Sequence, residues 1–331
     1  MPLQLLRTRR WRPPAAPARA RESESAVPLP PLRLLPLPAP GPEDVVVDRD
    51  GMLLTGVADG RVLRVDPVTG DWDEVADTGG RPLGLEACPD GSILCCDSRR
   101  GLLRIDTDGT VDVLVGEVGG VPLNFASNVV RAPDGTIYFS ASTRRFDLEH
   151  YMGDLLEHSG TGRLFRLGPD GVPETLLDGL DFANGVVLAP DGASVVVAQT
   201  AGYCVTRYHL QGPAAGSSEP LIENLPGFPD NMAMGSDGLL WVSLASARNP
   251  LLDRLLPLPG VLRQASWVLP DRLRPAPSGT VWAMALSWDG EVVHDRQGTA
   301  PGFAMVTSAI EQGGTVYLGS LHSPAIAAFE L

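Results

Sequence analysis

Short apolar runs recur along the chain, each opened by a tight polar turn. They read DGMLLTGVADGRVLRVD (50–66), DGSILCCDSRRGLLRID (90–106) and DGTIYFSAST (134–143), then DGASVVVAQTAGYCVTRYHL (191–210), DGLLWVSLAS (237–246) and GGTVYLGSL (313–321). An Asp-Gly or Gly-Gly pair supplies the positive φ angles of a hairpin turn, and the Val, Ile, Leu and Tyr residues that follow suit half-buried strands. Second strands follow after short loops, as in residues 60–66, 101–106 and 162–168. Each unit is therefore a small antiparallel meander that cannot bury its own apolar face. Six such units arranged radially can, which predicts an all-β, six-bladed β-propeller over residues 41–331. A β-sandwich would not repeat one hairpin so regularly.

Two segments break the rhythm. Residues 144–158 (RRFDLEHYMGDLLEH) carry apolar side chains near helical spacing, and residues 249–273 (NPLLDRLLPLPGVLRQASWVLPDRL) are helix-like but cut by prolines. Both are expected as helical insertions over one face of the propeller, walling a binding site for a small-molecule substrate. Edge packing or a homodimer contact is the alternative use. Residues 1–40, rich in Pro and Arg, read as an extended N-terminal arm, because closely spaced prolines sustain neither helix nor a central strand.

Composition narrows the function. With 37 Gly and 31 Pro the chain has many turns, and a net charge of −14 argues against a nucleic-acid partner. No run of about 18 apolar residues predicts a membrane span. The arm lacks the apolar core of a signal peptide, which makes the cytoplasm the default expectation. Cys95 and Cys96 are adjacent and should point to opposite faces of a strand. With Cys88 and Cys204 they are expected as reduced core residues rather than zinc ligands.

Candidate chemistry lies where innermost propeller strands begin, since those positions converge on the central channel. Glu43-Asp44, Ser127-Asn128, Asn184 and Asp230-Asn231 each precede an apolar run and a polar-Gly turn. Asx turns alone would explain any one of them. Four in register form an oxygen-rich, Cys- and His-free set of the kind a hard cation takes. His294 is expected to be structural, His150 and His158 solvated, and His322 to face the channel. Serine-hydrolase elbows, zinc-protease helices and phosphate-binding loops are absent from the sequence.

The segments GPEDVVVDRDG, TGRLFRL, FANGVVLAPDG, LPGFPDNMAM, LASARNPLLD and TVYLGSL resemble those of the calcium-dependent propeller lactonase and esterase superfamily. That superfamily includes gluconolactonase and senescence marker protein, paraoxonase, diisopropyl fluorophosphatase and the strictosidine synthase-like proteins, of which the last branch is the nearest match, over residues 42–331. The resemblance implies Ca2+ held by Glu43, Asn184 and Asp230, with Ser127 where the family carries an Asn, Asn128 beside it, and Asn231 in the pocket. It implies hydrolysis of a lactone or ester, with Asp230 and Glu43 as the catalytic carboxylates. Ala141, Gln199 and Ala304 depart from the family pattern. Thr307, also in the pocket, stands where strictosidine synthase has its catalytic glutamate. A biosynthetic cyclisation or condensation in the same pocket is the alternative.

Overall fold

The structure is a computed structural model that describes residues 5–269 and 277–331. Six four-stranded antiparallel sheets surround a central channel. Their innermost strands, in chain order, are Val45–Val47, Pro82–Ala87, Ala126–Arg131, Ala183–Leu188, Gly227–Met234 and Val306–Gln312. We number the blades 1 to 6 in that order. Five of the innermost strands turn through an Asp-Gly pair into the second strand, and that of blade 6 through Gly313-Gly314. Gly51, Gly91, Gly135, Gly192 and Gly238 take the left-handed φ these turns require, which accounts for the repeat. The turns sit at the opposite end of the channel from the candidate residues, which lie at the beginnings of the inner strands.

Apolar residues fill the wedges between blades. Leu54 and Val62 of blade 1 meet Leu85 and Cys95 of blade 2. Cys96, on the other face of the same strand, packs with Val129 and Phe139 of blade 3. The alternation thus makes one strand serve two cores. All four cysteines are free, and only Cys204 is not fully buried.

The ring is closed by the N-terminal arm. Arg33–Pro36 pairs antiparallel with Ala325–Glu330, so blade 6 takes its three inner strands from the C-terminus and its outermost from the arm. The propeller therefore begins within residues 1–40 rather than at 41. The prolines are tolerated because this is an edge strand, whose outer side needs no ladder partner.

Both insertions leave the same point, the connection between the second and third strands, in blades 3 and 5. The first forms helix α1 (Tyr151–Glu157), and the second forms α2 (Pro250–Leu255) and α3 (Gly260–Trp267). Residues 270–273 of the expected second insertion lie outside the described residues. Asn249 caps α2, its side-chain oxygen accepting from the Leu251 and Leu252 amides, and Pro250 follows at the first helical position. A seventh apolar core joins these helices to the propeller, with Phe146, Leu156, Leu256 and Trp267 from the insertions meeting Phe125, Phe182 and Phe228 from the blades. The arm runs over it. The Leu6 amide donates to Gln264 Oε1 at 2.8 Å, the Arg9 amide to the Glu157 carbonyl at 3.0 Å, and Trp11 stacks on His158 at 4.2 Å. Among the described residues no helix is long and apolar enough to cross a membrane.

Candidate functional site

At the start of five inner strands the ladder is broken by a register shift. The shifts fall between Pro82 and Leu85, Ala126 and Val129, Ala183 and Val186, Pro229 and Met232, and Val306 and Ser308. A bulge lets two consecutive side chains escape strict alternation. Ser127 and Asn128, and likewise Asp230 and Asn231, are therefore both buried at the channel. In blade 1 the strand begins after Glu43-Asp44, with the same result. Gly84 and Gly185 make room, because a Cβ at either would lie about 2.5 Å from backbone atoms of the next blade.

The paired residues separate into two tiers. Asp44, Asn128 and Asn231 form the lower one. Asp44 Oδ2 accepts from the Leu85 amide (3.0 Å) and Asn128 Nδ2 (3.3 Å), while its Oδ1 accepts from the Val45 amide (2.9 Å). Asn128 Oδ1 accepts from the Val186 amide at 2.9 Å, and its Nδ2 also donates to Asn231 Oδ1 at 3.2 Å. This tier ties blades 1 to 5 together with its amides fully used. Asn128 belongs to that plug and does not line the cavity above it.

The upper tier is the floor of a partly open chamber. Glu43, Ser127, Asn184, Thr200, Asp230 and Thr307 supply its polar groups. Asp230 accepts from Asn184 Nδ2, whose Oδ1 accepts from Ser127 Oγ at 2.8 Å, and Glu43 Oε2 accepts from Asn231 Nδ2 at 3.1 Å. Thr307 Oγ1 donates to the Glu43 carbonyl at 2.7 Å. The walls are apolar: Phe125, Phe182 and Phe228 from the blades, Leu148, Met152 and Leu155 from the first insertion, Leu252 from α2, and Met305 and Leu321 from blade 6.

Two buried carboxylates thus share a largely apolar site. Burial pushes Glu43 well above the usual carboxylate range, reinforced by the charges of Asp230 and Asp44, while Arg81 and the Asn231 hydrogen bond act the other way. Burial likewise pushes Asp230 up, opposed by its hydrogen bond from Asn184 and assisted by Asp44. Among the described residues no group of three or more His, Cys, Asp or Glu is placed to hold a metal ion. The donor set is instead two carboxylates with one amide and one hydroxyl oxygen. It suits a hard cation in chemistry and in charge, since a divalent ion would relieve the strain on both carboxylates. Ser127 does not block this, because an amide oxygen has two lone pairs and can serve a hydroxyl and a cation together.

Not every candidate reaches the chamber. Asn231 lies in the lower tier, and His322 is exposed, outside the lining, its pKa lowered by partial burial and by Arg81. Ala304 is half-buried beside the lining residue Met305. Gln199 is structural, accepting from the Asp181 amide at 2.8 Å and donating to Thr206 Oγ1 at 2.7 Å. His294 stacks on Trp241 at 5.8 Å, as its strand position suggested. His158 corrects the expectation of a solvated side chain. It is fully buried, with Nε2 3.2 Å from Asp181 Oδ2, because the left-handed turn that ends α1 folds it under Trp11. His150 is half-buried and meets Asp147 at 2.6 Å.

The insertions supply walls as the sequence suggested, but sequence reasoning missed the blade residues that join them, although FASN, FANG and FPDN repeat a Phe two residues before Ser127, Asn184 and Asp230. It also missed Tyr151, at the first position of α1, which faces the same chamber.

Two family models match the chain: "Strictosidine synthase" over residues 128–213 and "Strictosidine synthase-like, N-terminal" over residues 29–65. Protein strictosidine synthase-like 6 of Arabidopsis thaliana is 30% identical over 290 residues, covering 85% of this chain and 76% of that protein. The adipocyte plasma membrane-associated protein of Rattus norvegicus is 31% identical over 328 residues, covering 88% and 83%. Among solved structures, a gluconolactonase from Xanthomonas campestris superposes with a TM-score of 0.65 at 20% identity, covering 100% of this chain and 98% of the other. The calcium-binding protein regucalcin from Agrobacterium tumefaciens gives 0.63 at 14% identity, covering 91% and 94%. At these identities the superpositions speak for the propeller alone.

Proposed function

Because the chain belongs to the strictosidine synthase-like family, we propose that it hydrolyses a lactone or ester, with Ca2+ or a similar divalent cation at the channel floor. The observation that carries this reading is the pair of buried carboxylates, Glu43 and Asp230, raised in pKa beneath an apolar chamber. Glu43, Asn184 and Asp230 would hold the cation, with Ser127 contributing its hydroxyl. When bound, the ion supplies Lewis-acid polarisation of the substrate carbonyl.

The chain's own residues do the rest. The apolar walls exclude bulk water and bury the organic part of the substrate, so that charge developing at the carbonyl is little screened. Asp230 takes a proton from the attacking water as the new C–O bond forms. The same proton passes to the leaving alkoxide as the old C–O bond breaks, leaving the carboxylate as it began. Asn184 holds Asp230 in place through its Nδ2 donation, and Asn231 does the same for Glu43 from below.

Thr307 weighs against a condensing enzyme of the strictosidine synthase kind. Its hydroxyl is engaged with the Glu43 carbonyl and is no acid or base at neutral pH.

Metal analysis of the purified chain, melting with and without EDTA, and turnover of a panel of esters and lactones with added Ca2+ test the reading. A co-purifying divalent ion, a melting point lowered by EDTA and EDTA-sensitive turnover are expected. A metal-free chain whose melting is indifferent to Ca2+ and EDTA would remove the cation. No turnover of any ester or lactone would remove the hydrolase.

A further inference from the structure

Tyr151 opens α1 and lines the same chamber as the floor carboxylates. The eight other polar side chains of the lining all hydrogen-bond within the protein. Ser127 donates to Asn184, Thr200 to the Pro229 carbonyl, Ser246 to the Ala247 carbonyl and Thr307 to Glu43, while Asn249 caps α2. Glu43, Asn184 and Asp230 are engaged as described. The Tyr151 hydroxyl has no hydrogen-bond partner among the described residues, although its ring packs against the apolar core of the insertion helices. Tyr151 is only partly buried and its hydroxyl is not sealed in the core, so it is free to donate to a molecule bound in the chamber.

Two further facts bear on this donor. Burial pushes the Tyr151 phenol up to about 12, and the charge of Asp230 adds to this, so the phenol lies within the field of that carboxylate. The group therefore keeps its proton at any physiological pH. It is also carried by an insertion rather than by a blade, so its position is set independently of the channel floor.

We propose that Tyr151 is a catalytic hydrogen-bond donor to the leaving-group oxygen of the bound ester or lactone. The floor groups act on the carbonyl and carry the proton from the attacking water, and Tyr151 adds a hydrogen bond at the leaving oxygen, where negative charge builds as the scissile bond lengthens. No proton needs to leave the phenol. The inference rests on the hydrolytic reading of the site and adds a residue from the lid to it.

The test compares the full-length chain with its Tyr151→Phe and Asp230→Asn variants, on alkyl esters or lactones and on nitrophenyl esters. Alkoxides carry more charge on departure than nitrophenolate, so a donor at that oxygen matters more for them. Tyr151→Phe is expected to lower kcat for alkyl esters about ten- to hundredfold, as loss of a hydrogen bond to a developing charge does, with KM little changed. Nitrophenyl esters should lose less than about threefold by the same argument. The melting point should be unchanged, because the phenol has no partner to lose. An equal loss on both ester classes, or no loss on either, while Asp230→Asn is inactive, would overturn the inference and leave the hydrolase standing. A wild-type chain inactive on every ester and lactone would overturn both.

Discussion

The two tiers of the channel are built from the same residue types, adjacent in sequence, yet they do different things. In Asp44, Asn128 and Asn231 every polar atom is matched to a neighbour, much of it backbone amide from the next blade. In Glu43, Asn184 and Asp230, one position away or in the neighbouring blade, the carboxylates face a cavity and have a single side-chain donor each. Burial raises Asp44 only to about 6, because the Leu85 and Val45 amides hold its charge down, whereas Asp230 has less to offset its burial. Hydrogen-bond saturation thus separates a plug that holds blades together from a floor that can bind and react.

The sharpest way to break the comparison is to remove one residue from each tier. Asp230→Ala should abolish turnover, by about a thousandfold or more as for an essential acid–base group, with the melting point retained. Turnover that survives would move the chemistry elsewhere. Asn128→Ala should do the reverse and destabilise the fold by about 2–4 kcal/mol, since it takes one donor from Asp44 and leaves the Val186 amide and Asn231 Oδ1 without their partner. Chemical denaturation measures this, and an unchanged midpoint would dissolve the plug.

A third expectation concerns pH. Asp44 and Asp154 are raised to about 6 and Glu86 to about 7, each chiefly by burial. Each binds its proton more tightly in the folded chain than in the unfolded one. Their contribution is therefore complete below about pH 4 and is lost as the pH rises to about 7. The surface carboxylates Asp48 and Asp59, lowered by their arginine partners, act in the opposite sense and only below about pH 4. Asp230, pushed up to about 8 by burial, extends the same loss upward, so melting in EDTA should fall between about pH 4 and 8, and added Ca2+ should oppose the fall at its upper end. A flat profile would mean that these carboxyls are solvated. The smallest effect is at Ser127, where Ser127→Asn should tighten calcium binding severalfold by replacing a hydroxyl with an amide oxygen. Calorimetric titration would show it, and no gain would refute it.

Much of this was legible in the residues. Polar-Gly turns and alternating apolar runs are local signals, and six repeats of one hairpin leave little choice of architecture. The inner-strand polar residues were visible for the same reason, since the repeat puts them in register at one end. The departures at Gln199 and Ala304 stood out as well, but their consequences did not. Gln199 turns out to brace the Asp181 turn.

What the sequence by itself determined is the blade, its turn and the set of oxygen-bearing residues at the channel, because each depends on neighbours within a few positions along the chain. What only the tertiary structure decided is which of those residues face the chamber. The bulges that split Ser127 from Asn128 and Asp230 from Asn231 are set by contact with the next blade, not by local propensity. The same holds for the arm strand that closes blade 6, for His158 buried beneath Trp11, and for Tyr151 brought over the floor by α1. Each joins parts of the chain far apart in sequence, and such pairings are fixed only when the whole propeller has closed.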